Sequence, residues 1–319
     1  MMFFTKVHIA TSSFEIDYSD RILTIGSCFA ENIGEKLQNA YFLSFTNPFG
    51  ISYNPMSVGQ SLRCLLNDKE FTEDDLFQSG SLWNSFAHSS AFSSITSDDA
   101  LQKINSRLIA SRQFMREANV VMITLGTAWV YERNDTGHVV ANCHKLPSNQ
   151  FNRRRLSVGE IQKELSDVVA LFRIRNPRLR FIFTVSPIRH WKDGAHENTL
   201  SKSTLHLAID EVVKKYDFVQ YFPAYEIVID ELRDYRFYAS DMLHPSQTAI
   251  EYIWKRFSET YFSEETTKLK NELEQLRLDV NHRPLHPETT EYQQFLVNIE
   301  KKKSVLIENY PFLSNRIMR

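Results

Sequence analysis

The stretch RILTIGSCFAENIGEKL, residues 21–37, decides the fold because it joins a buried strand to an amphipathic helix through one tight turn. Its first part, RILTI, is apolar in the manner of a strand that is buried on both faces. Apolar residues then recur at every fourth position from Phe29 to Leu37, which predicts a helix packed against that strand. Ser27 and Cys28 lie at the turn, beyond the carboxyl end of the strand and beside the free amides of the helix. This pattern predicts an open α/β sheet with a ligand site at its edge.

A second motif, SDMLHPSQ at residues 240–247, places a carboxylate and an imidazole three positions apart, just before another helical pattern. Such a loop can supply a base and the acid that orients it. His244 would take a proton from Ser27, while Asp241 would hold the imidazole and stabilise its charged form. Ser27 could instead only cap its helix, a role that serine often fills. A relay of Ser27, His244 and Asp241 is the first hypothesis for the site.

Together the two motifs resemble those of the GDSL/SGNH hydrolases, whose nucleophilic serine follows the first strand and whose Asp-x-x-His-Pro segment precedes the last helix. Within that group the chain is similar to the GSCFA family, because residues 26–30 read GSCFA. Four further segments look like that family's other blocks: NPFGISYNP (47–55), WNSFAHSSAF (83–92), ITLGTAWVY (123–131) and SPIRHW (186–191). The resemblance covers roughly residues 5–260. It implies an SGNH-like fold and hydrolase machinery, but it does not supply a substrate.

The same resemblance implies where an oxyanion would be stabilised. The amides of Ser27 and Gly50 are the expected donors, although Gly50 could instead only permit a turn with a positive φ angle. Many SGNH enzymes add an asparagine from a Gly-x-Asn segment, where this chain has Gly-Thr-Ala. We therefore expect a replacement donor, with Asn54 first, Asn142 second and Thr127 third, or backbone amides alone.

Five further side chains are candidates for lining a substrate pocket: Trp83, His88, His144, Arg189 and His190. Each aromatic or histidine side chain could equally be packed or hydrogen-bonded in the interior. His144 follows a cysteine, but one His/Cys pair lacks the ligand count of a zinc site, so no metal is expected. No other cofactor is expected.

Cys28 offers an alternative nucleophile, because a cysteine at a helix N-terminus can have a lowered pKa. The sequence favours Ser27 over Cys28 as the nucleophile. In the strand–turn–helix register Cys28 enters the helix itself, where a small apolar side chain is expected to pack inward.

Alternating strand and helix patterns predict a three-layer α/β/α sandwich with a central parallel sheet, of the SGNH or flavodoxin-like kind. Residues 1–262 would form this hydrolase domain. Residues 263–319 change to a charge-rich pattern with regularly spaced leucines, broken at Arg283-Pro284, which predicts a C-terminal helical hairpin. The hairpin would cover an exposed face of the domain or form a contact in a homo-oligomer.

The composition limits the partners. The 37 basic and 39 acidic residues of the 319-residue chain give a net charge of −2, which provides no electrostatic reason to expect nucleic acid or an anionic membrane. The three cysteines have no spacing typical of a disulfide framework or a metal site. No apolar run is long enough for a secretory signal or a membrane span, so the sequence predicts a cytoplasmic protein.

The leading functional hypothesis is a serine esterase that hydrolyses an O-acyl ester through an acyl-serine intermediate. A small molecule or a carbohydrate carrying an O-acetyl group is the expected substrate, by analogy with the superfamily. An acyltransferase would use the same residues with a different acceptor. A catalytically silent binding protein is the third alternative, and the missing Gly-x-Asn asparagine favours it.

Overall fold

The structure is a computed structural model that describes residues 4–317. Its strands are β1 (Arg21–Gly26), β2 (Leu43–Thr46), β3 (Phe77–Ser79), β4 (Leu82–Asn84), β5 (Val120–Leu125), β6 (Trp129–Arg133), β7 (Val139–Val140), β8 (Phe151–Arg155), β9 (Arg180–Val185) and β10 (Val219–Tyr221). Its helices are α1 (Cys28–Asn39), α2 (Pro55–Leu66), α3 (Ser97–Glu117), α4 (Val158–Arg175), α5 (Gly194–Lys215), α6 (Ala224–Glu226, followed by a π-helical stretch at Ile227–Glu231), α7 (Gln247–Tyr261), α8 (Glu264–Val280), α9 (Thr290–Asn309) and α10 (Ser314–Ile317).

The central sheet has five parallel strands in the order β2-β1-β5-β9-β10. The chain moves from β1 outward to β2, then returns to the other side of β1 to form β5 and continues outward to β10. The two halves therefore diverge between β1 and β5, and the loops at their carboxyl ends leave a crevice there. The predicted position of Ser27 and Cys28, at the end of β1, lies at this crevice.

Helices cover both faces of the sheet, which confirms the predicted three-layer sandwich. One buried cluster joins the sheet to α1, α7, α8 and α9, and a second joins it to α2, α3, α4 and α5. The strand β1 serves both clusters, since Ile22 belongs to the first and Leu23 and Ile25 belong to the second. Burial on both faces explains why this strand is continuously apolar rather than alternating.

Two small antiparallel sheets extend the domain beyond this sandwich. A hairpin with its turn at residues 135–137 joins β6 to β7, and the same sheet also contains β8, which the sequence analysis did not predict. The strand β8 reads FNRRR and is mostly solvent-facing, so it lacks the apolar signal of a buried strand. Its Arg153 guanidinium lies 4.2 Å from the Trp129 ring centroid, a cation–π contact that apolar patterning cannot show.

The C-terminal residues form the predicted helical hairpin, α8 and α9. Their buried leucines and isoleucines, including Leu273, Leu276 and Leu306, join the same core cluster as α1 and α7. The hairpin therefore covers one face of the sandwich, while its use as an oligomer contact and the division into residues 1–262 and 263–319 stay predictions. Within residues 4–317, no helix is both long and apolar enough to cross a membrane.

Gly26, the last residue of β1, requires a glycine for two reasons. Its φ angle is +135°, a region that side-chain-bearing residues rarely adopt. A Cβ atom built there would also lie 2.0 Å from the carbonyl oxygen of Thr124 on β5. The absence of a side chain therefore lets β1 stay paired with β5 up to the turn that presents Ser27 and Cys28.

We predict that Gly26→Ala lowers the free energy of unfolding by about 2 kcal/mol or more, because the new methyl group meets backbone atoms that cannot rotate away. Chemical denaturation followed by circular dichroism measures this change. Gly159→Ala in α4 is the matched control, since a Cβ atom there meets nothing within 4 Å. Equal stabilities for the two variants would contradict the proposed close approach.

Candidate active site

The turn after β1 is fixed by hydrogen bonds to the loop after β2 and to the strand β5. The Gly26 amide donates to Asn47 Oδ1 at 2.8 Å, and the Gly26 carbonyl accepts from the Ser52 amide at 2.9 Å. The Ser27 amide donates to the Thr124 carbonyl at 3.1 Å. The loop and the strand therefore hold the turn in one conformation at the crevice between β1 and β5.

Ser27 caps α1. Its backbone is extended, with ψ at 174°, and its hydroxyl accepts a hydrogen bond from the Phe29 amide at 3.3 Å. The residue is only 1% exposed. The hydroxyl therefore fills the capping role that serine plays at helix starts, and it lies below the surface that a substrate can reach.

Cys28, the first residue of α1, is partly exposed. Burial raises the pKa of its thiol, and the nearby Glu31 carboxylate raises it further. The nearby amides of Cys28 and Phe29 oppose this shift. The group is therefore a neutral thiol at neutral pH, held against the amides at the start of a helix.

Asp241 and His244 form the second half of the predicted relay. Asp241 Oδ2 lies 2.5 Å from His244 Nδ1, and Asp241 Oδ1 accepts hydrogen bonds from the amides of Leu243 and His244, both at 2.9 Å. The two amides and the ring lower the pKa of Asp241 to about 2. The following helix, α7, is capped by Ser246 instead, so the carboxylate is free to orient the imidazole.

The His244 ring is half-exposed, with its Nε2 atom available to a substrate. Among residues 4–317, no hydrogen bond joins His244 to Ser27 or Cys28. Burial is the main cause of the lowered pKa of His190, and the charge of His244 adds to it, so these two side chains lie within electrostatic range of each other. His190 Nε2 and the Tyr53 ring each lie within 3.3 Å of where a side chain on Gly126 would begin.

His190 is thus a predicted pocket residue that the structure brings to the crevice. Its ring meets the Tyr53 ring edge-on, with centroids 5.2 Å apart. Burial lowers the pKa of His190 to about 4, and the positive charge of Lys202 acts in the same direction. The side chain is therefore neutral at physiological pH and is suited to hydrogen bonding rather than to carrying charge.

The two backbone donors expected for an oxyanion are already engaged. The Ser27 amide is bonded to Thr124, as described above, and the Gly50 amide donates to the Asn47 carbonyl at 2.9 Å within a turn. Gly50 has a φ angle of +76°, so its glycine character is explained by the turn. This geometry corrects the expectation that these two amides form the oxyanion hole.

The three side chains proposed as replacement donors also have other partners. Asn54 caps α2 and bonds Ser57 through both of its side-chain polar atoms, at 2.9 and 3.0 Å. Asn142 donates to Ser90 Oγ at 3.3 Å and accepts from the amide of His144. Thr127 Oγ1 lies 3.0 Å from Ser201 Oγ. Each hydrogen bond supports a local turn or packing contact, so none of the three is free in this structure.

Three predicted pocket residues make their contacts in the β3–β4 lobe, residues 77–94, and the turn beside it. His88 is 1% exposed, and its Nδ1 lies 3.0 Å from Ser85 Oγ. Burial lowers the pKa of His88 to about 3. His144 Nε2 lies 2.9 Å from the Ser85 carbonyl, and Trp83 lies within β4. The structure therefore gives the His88 and His144 side chains packing and hydrogen-bonding roles, and it places Trp83 on the same lobe.

Lys202 on α5 is the site residue that the sequence analysis missed. Its Nζ donates to the carbonyls of Gly126 at 2.7 Å and Ser186 at 2.6 Å, the residues that follow β5 and β9. The residue is 1% exposed, and within the described chain its ammonium group has no carboxylate partner. Burial lowers its pKa to about 7, while the Cys28 thiolate would raise it.

The sequence feature that could have identified Lys202 is its position on the buried face of α5. Asn198, Ser201, Lys202 and Leu205 share that face, and a charged residue among them is unusual. A buried cation without a counter-charge costs stability, and such groups concentrate at functional sites.

Among the residues that the structure describes, no group of three or more potential metal ligands is brought together.

A cleft of about 520 Å³ begins beside the relay pair. Asp241 lies on its wall, together with Arg189 and Trp191 from the segment after β9 and Tyr235 and Tyr238 from the segment before α7. Arg189 is therefore the second predicted pocket residue that lies next to the relay loop.

Comparison with known proteins gives two family matches. The model of the GSCFA family matches residues 21–257, and the model of the C-terminal domain of GSCFA domain proteins matches residues 273–316. No curated protein matches the chain. A solved acetyl xylan esterase from the rumen bacterium Butyrivibrio proteoclasticus is similar at 12% identity and a TM-score of 0.39, over 76% of this chain. This chain covers 63% of that protein, less than two thirds of its length.

Because Lys202 is buried, we predict that the free energy of unfolding depends on pH. Its pKa is lowered from 10.5 to about 7 on folding, so between these values the unfolded chain binds more protons and stability rises with pH. We expect this residue to add about 1.5 kcal/mol to the free energy of unfolding between about pH 7 and pH 8.5. Denaturant titrations of wild type and Lys202→Met at several pH values measure the difference.

The comparison uses the slope of the free energy of unfolding against pH. The absolute stability is less informative, because removing the lysine also leaves two carbonyls unpaired. Lys202→Arg is the second variant, since a guanidinium stays charged over this range and should flatten the curve as well. Parallel pH curves for wild type and both variants would show that Lys202 does not titrate there.

Proposed function

The chain belongs to the GSCFA family, and we propose that it cleaves acyl esters at the turn between β1 and α1 by SGNH-type chemistry. The observation that carries this proposal is the contact of 2.5 Å between Asp241 Oδ2 and His244 Nδ1. It fixes the ring so that Nε2 is the atom available as a base. Asp241 lies on the wall of an open cleft, and the charge of His244 acts on His190 at the crevice that contains the turn.

The nucleophile in this proposal is Cys28 rather than the predicted Ser27. The Ser27 hydroxyl is buried and already bonded as a helix cap, whereas the Cys28 thiol is partly exposed. A side chain that attacks a substrate must be accessible to it, which favours the cysteine. The thiol packs against the edge of the core, as the sequence analysis expected, but this contact does not bury it completely.

A thiol with a raised pKa requires a base, and His244 supplies it in the proposed mechanism. His244 Nε2 accepts the thiol proton as the sulfur attacks the acyl carbonyl carbon, and Asp241 stabilises the imidazolium. The tetrahedral intermediate collapses when the imidazolium returns this proton to the departing alcohol, leaving a thioester on Cys28. His244 then takes a proton from water, whose oxygen attacks the thioester and releases the carboxylic acid and the thiol.

The negative charge that develops on the carbonyl oxygen must be stabilised by hydrogen-bond donors that are already in position before the reaction. Because the amides of Ser27, Gly50 and Phe29 are engaged, the Cys28 amide at the start of α1 is the proposed donor. Lys202 adds positive potential, because its charge and that of a Cys28 thiolate interact. The oxyanion site is therefore proposed to combine the Cys28 amide with a buried cation, without a Gly-x-Asn asparagine.

We predict that Cys28→Ala lowers hydrolysis of 4-nitrophenyl acetate more than about 10³-fold, because no other thiol is available at the turn. Ser27→Ala should keep turnover within about tenfold, while it lowers stability by about 1 kcal/mol through the lost cap. Mass spectrometry after brief exposure to the ester should find the acyl group on the peptide that contains Cys28.

The opposite pattern, with activity lost in Ser27→Ala and kept in Cys28→Ala, would restore the serine nucleophile and leave the proposed reaction intact. Full activity in both variants would show that neither side chain of the turn takes part in the hydrolysis. Cys64 on α2 and Cys143 after β7 are internal controls for the labelling, since both are free and partly exposed like Cys28.

A further prediction concerns the orienting carboxylate. Asp241→Asn should lower turnover about 10²- to 10⁴-fold with little change in stability, because the amide no longer holds the productive tautomer of His244. Asp234→Asn is the matched control, as Asp234 lies on the same cleft and bonds only Arg236. Similar turnover in the two variants would mean that Asp241 serves only the turn of its own loop.

A further inference from the structure

The cleft beside Asp241 has a wall suited to a ring-shaped group. Trp191, Tyr235 and Met242 line it and are 54%, 75% and 51% exposed. Large apolar side chains grouped on a surface commonly mark ligand-binding sites, and flat aromatic faces accept rings by stacking.

The charges on the wall are balanced except at one residue. The paired ones are Arg233 with Asp230 at 3.2 Å, Asp234 with Arg236 at 3.0 Å, and Asp241 with His244 at 2.5 Å. Within residues 4–317, Arg189 has no carboxylate partner, and its Nε is buried without a hydrogen bond. An arginine held in this way has donors available to a ligand.

The Arg189 guanidinium is held between the base of the crevice and the cleft. Its carbon lies 5.5 Å from the Trp191 ring centroid. Its charge adds to the burial that lowers the pKa of Lys202 in the interior, and it opposes the burial that raises the pKa values of Tyr225 and Tyr238 towards the cleft. A guanidinium in this setting is partly desolvated, so an anion would gain more from it than from an arginine in bulk water.

The proposed reaction also fixes which part of an ester would lie here. His244 returns its proton to the departing alcohol, so the alcohol must leave on the side of His244. The cleft begins on that side, at Asp241. The alcohol part of the ester is therefore the part that extends along Trp191 towards Arg189.

We propose that Arg189 binds an anionic group, a carboxylate or a phosphate, on a ring-containing alcohol whose ring lies against Trp191 and Tyr235. This inference rests on the proposed function for the assignment to the alcohol part, but the anion site itself does not. The protein would accordingly prefer esters of acidic alcohols over esters of neutral ones. Guanidinium groups bind both anions through paired donors, so carboxylate and phosphate are tested separately.

The first experiment measures binding, which does not depend on turnover. NMR titrations would use 4-hydroxybenzoate, phenyl phosphate and the neutral 4-hydroxybenzamide. We expect at least one anion to bind about tenfold or more tightly than the amide. Arg189→Met should remove this preference, Arg189→Lys should retain part of it, and Arg233→Met, which changes a paired arginine on the same wall, should leave it unchanged. The stronger of the two anions identifies the group.

The second experiment compares hydrolysis of 4-acetoxybenzoate and 4-acetoxybenzamide, with folding of each variant checked by thermal unfolding. A lower KM for the benzoate that disappears in Arg189→Met supports the inference. Anion binding without hydrolysis of either ester would refute the esterase and keep the anion site. Equal binding of all three probes, or a preference that survives in Arg189→Met, would overturn the anion site even if both esters are hydrolysed.

Discussion

The contact between Gly26 and the backbone of Thr124 is the constraint on which the site depends. Without a side chain at Gly26, β1 remains paired with β5 to its last residue, and the chain must then turn at once. The turn leaves one residue, Ser27, to cap α1 and makes Cys28 the first residue of the helix. One close backbone approach therefore decides which side chain is buried and which is partly exposed.

Lys202 holds together the loops that follow β5 and β9. Its ammonium group joins the carbonyls that follow β5 and β9, so the loops that contain Gly126 and His190 are held to the same point. The cost of burying this cation is only partly offset by two hydrogen bonds. Such a cost is typical of functional sites, where a preorganised positive potential stabilises charge that develops during a reaction.

The two halves of the site are held by different kinds of interaction. Asp241 and His244 are oriented within their own loop, where one carboxylate accepts from two nearby amides and the ring. Cys28 is instead positioned by packing between the sheet and α1. The Asp–His half therefore faces the open cleft and Arg189, and the half that contains Cys28 lies at the crevice between β1 and β5.

The sequence by itself determined the features that depend on neighbouring residues. Apolar periodicity predicted the sandwich, and the spacing of Asp241 and His244 allowed their contact. The capping box that Ser157 and Glu160 form on α4 is likewise set by residues three positions apart. Short-range hydrogen bonds and helical spacing are encoded locally, which is why they could be predicted.

Only the tertiary structure decided which polar groups are free. The Ser27 amide is engaged by Thr124, and Lys202 enters the site, because segments that are distant in the chain meet there. The exposure of Cys28 rather than Ser27 likewise follows from the pairing of β1 with β5. Hydrogen-bond competition and burial depend on these long-range contacts, which a single sequence does not specify.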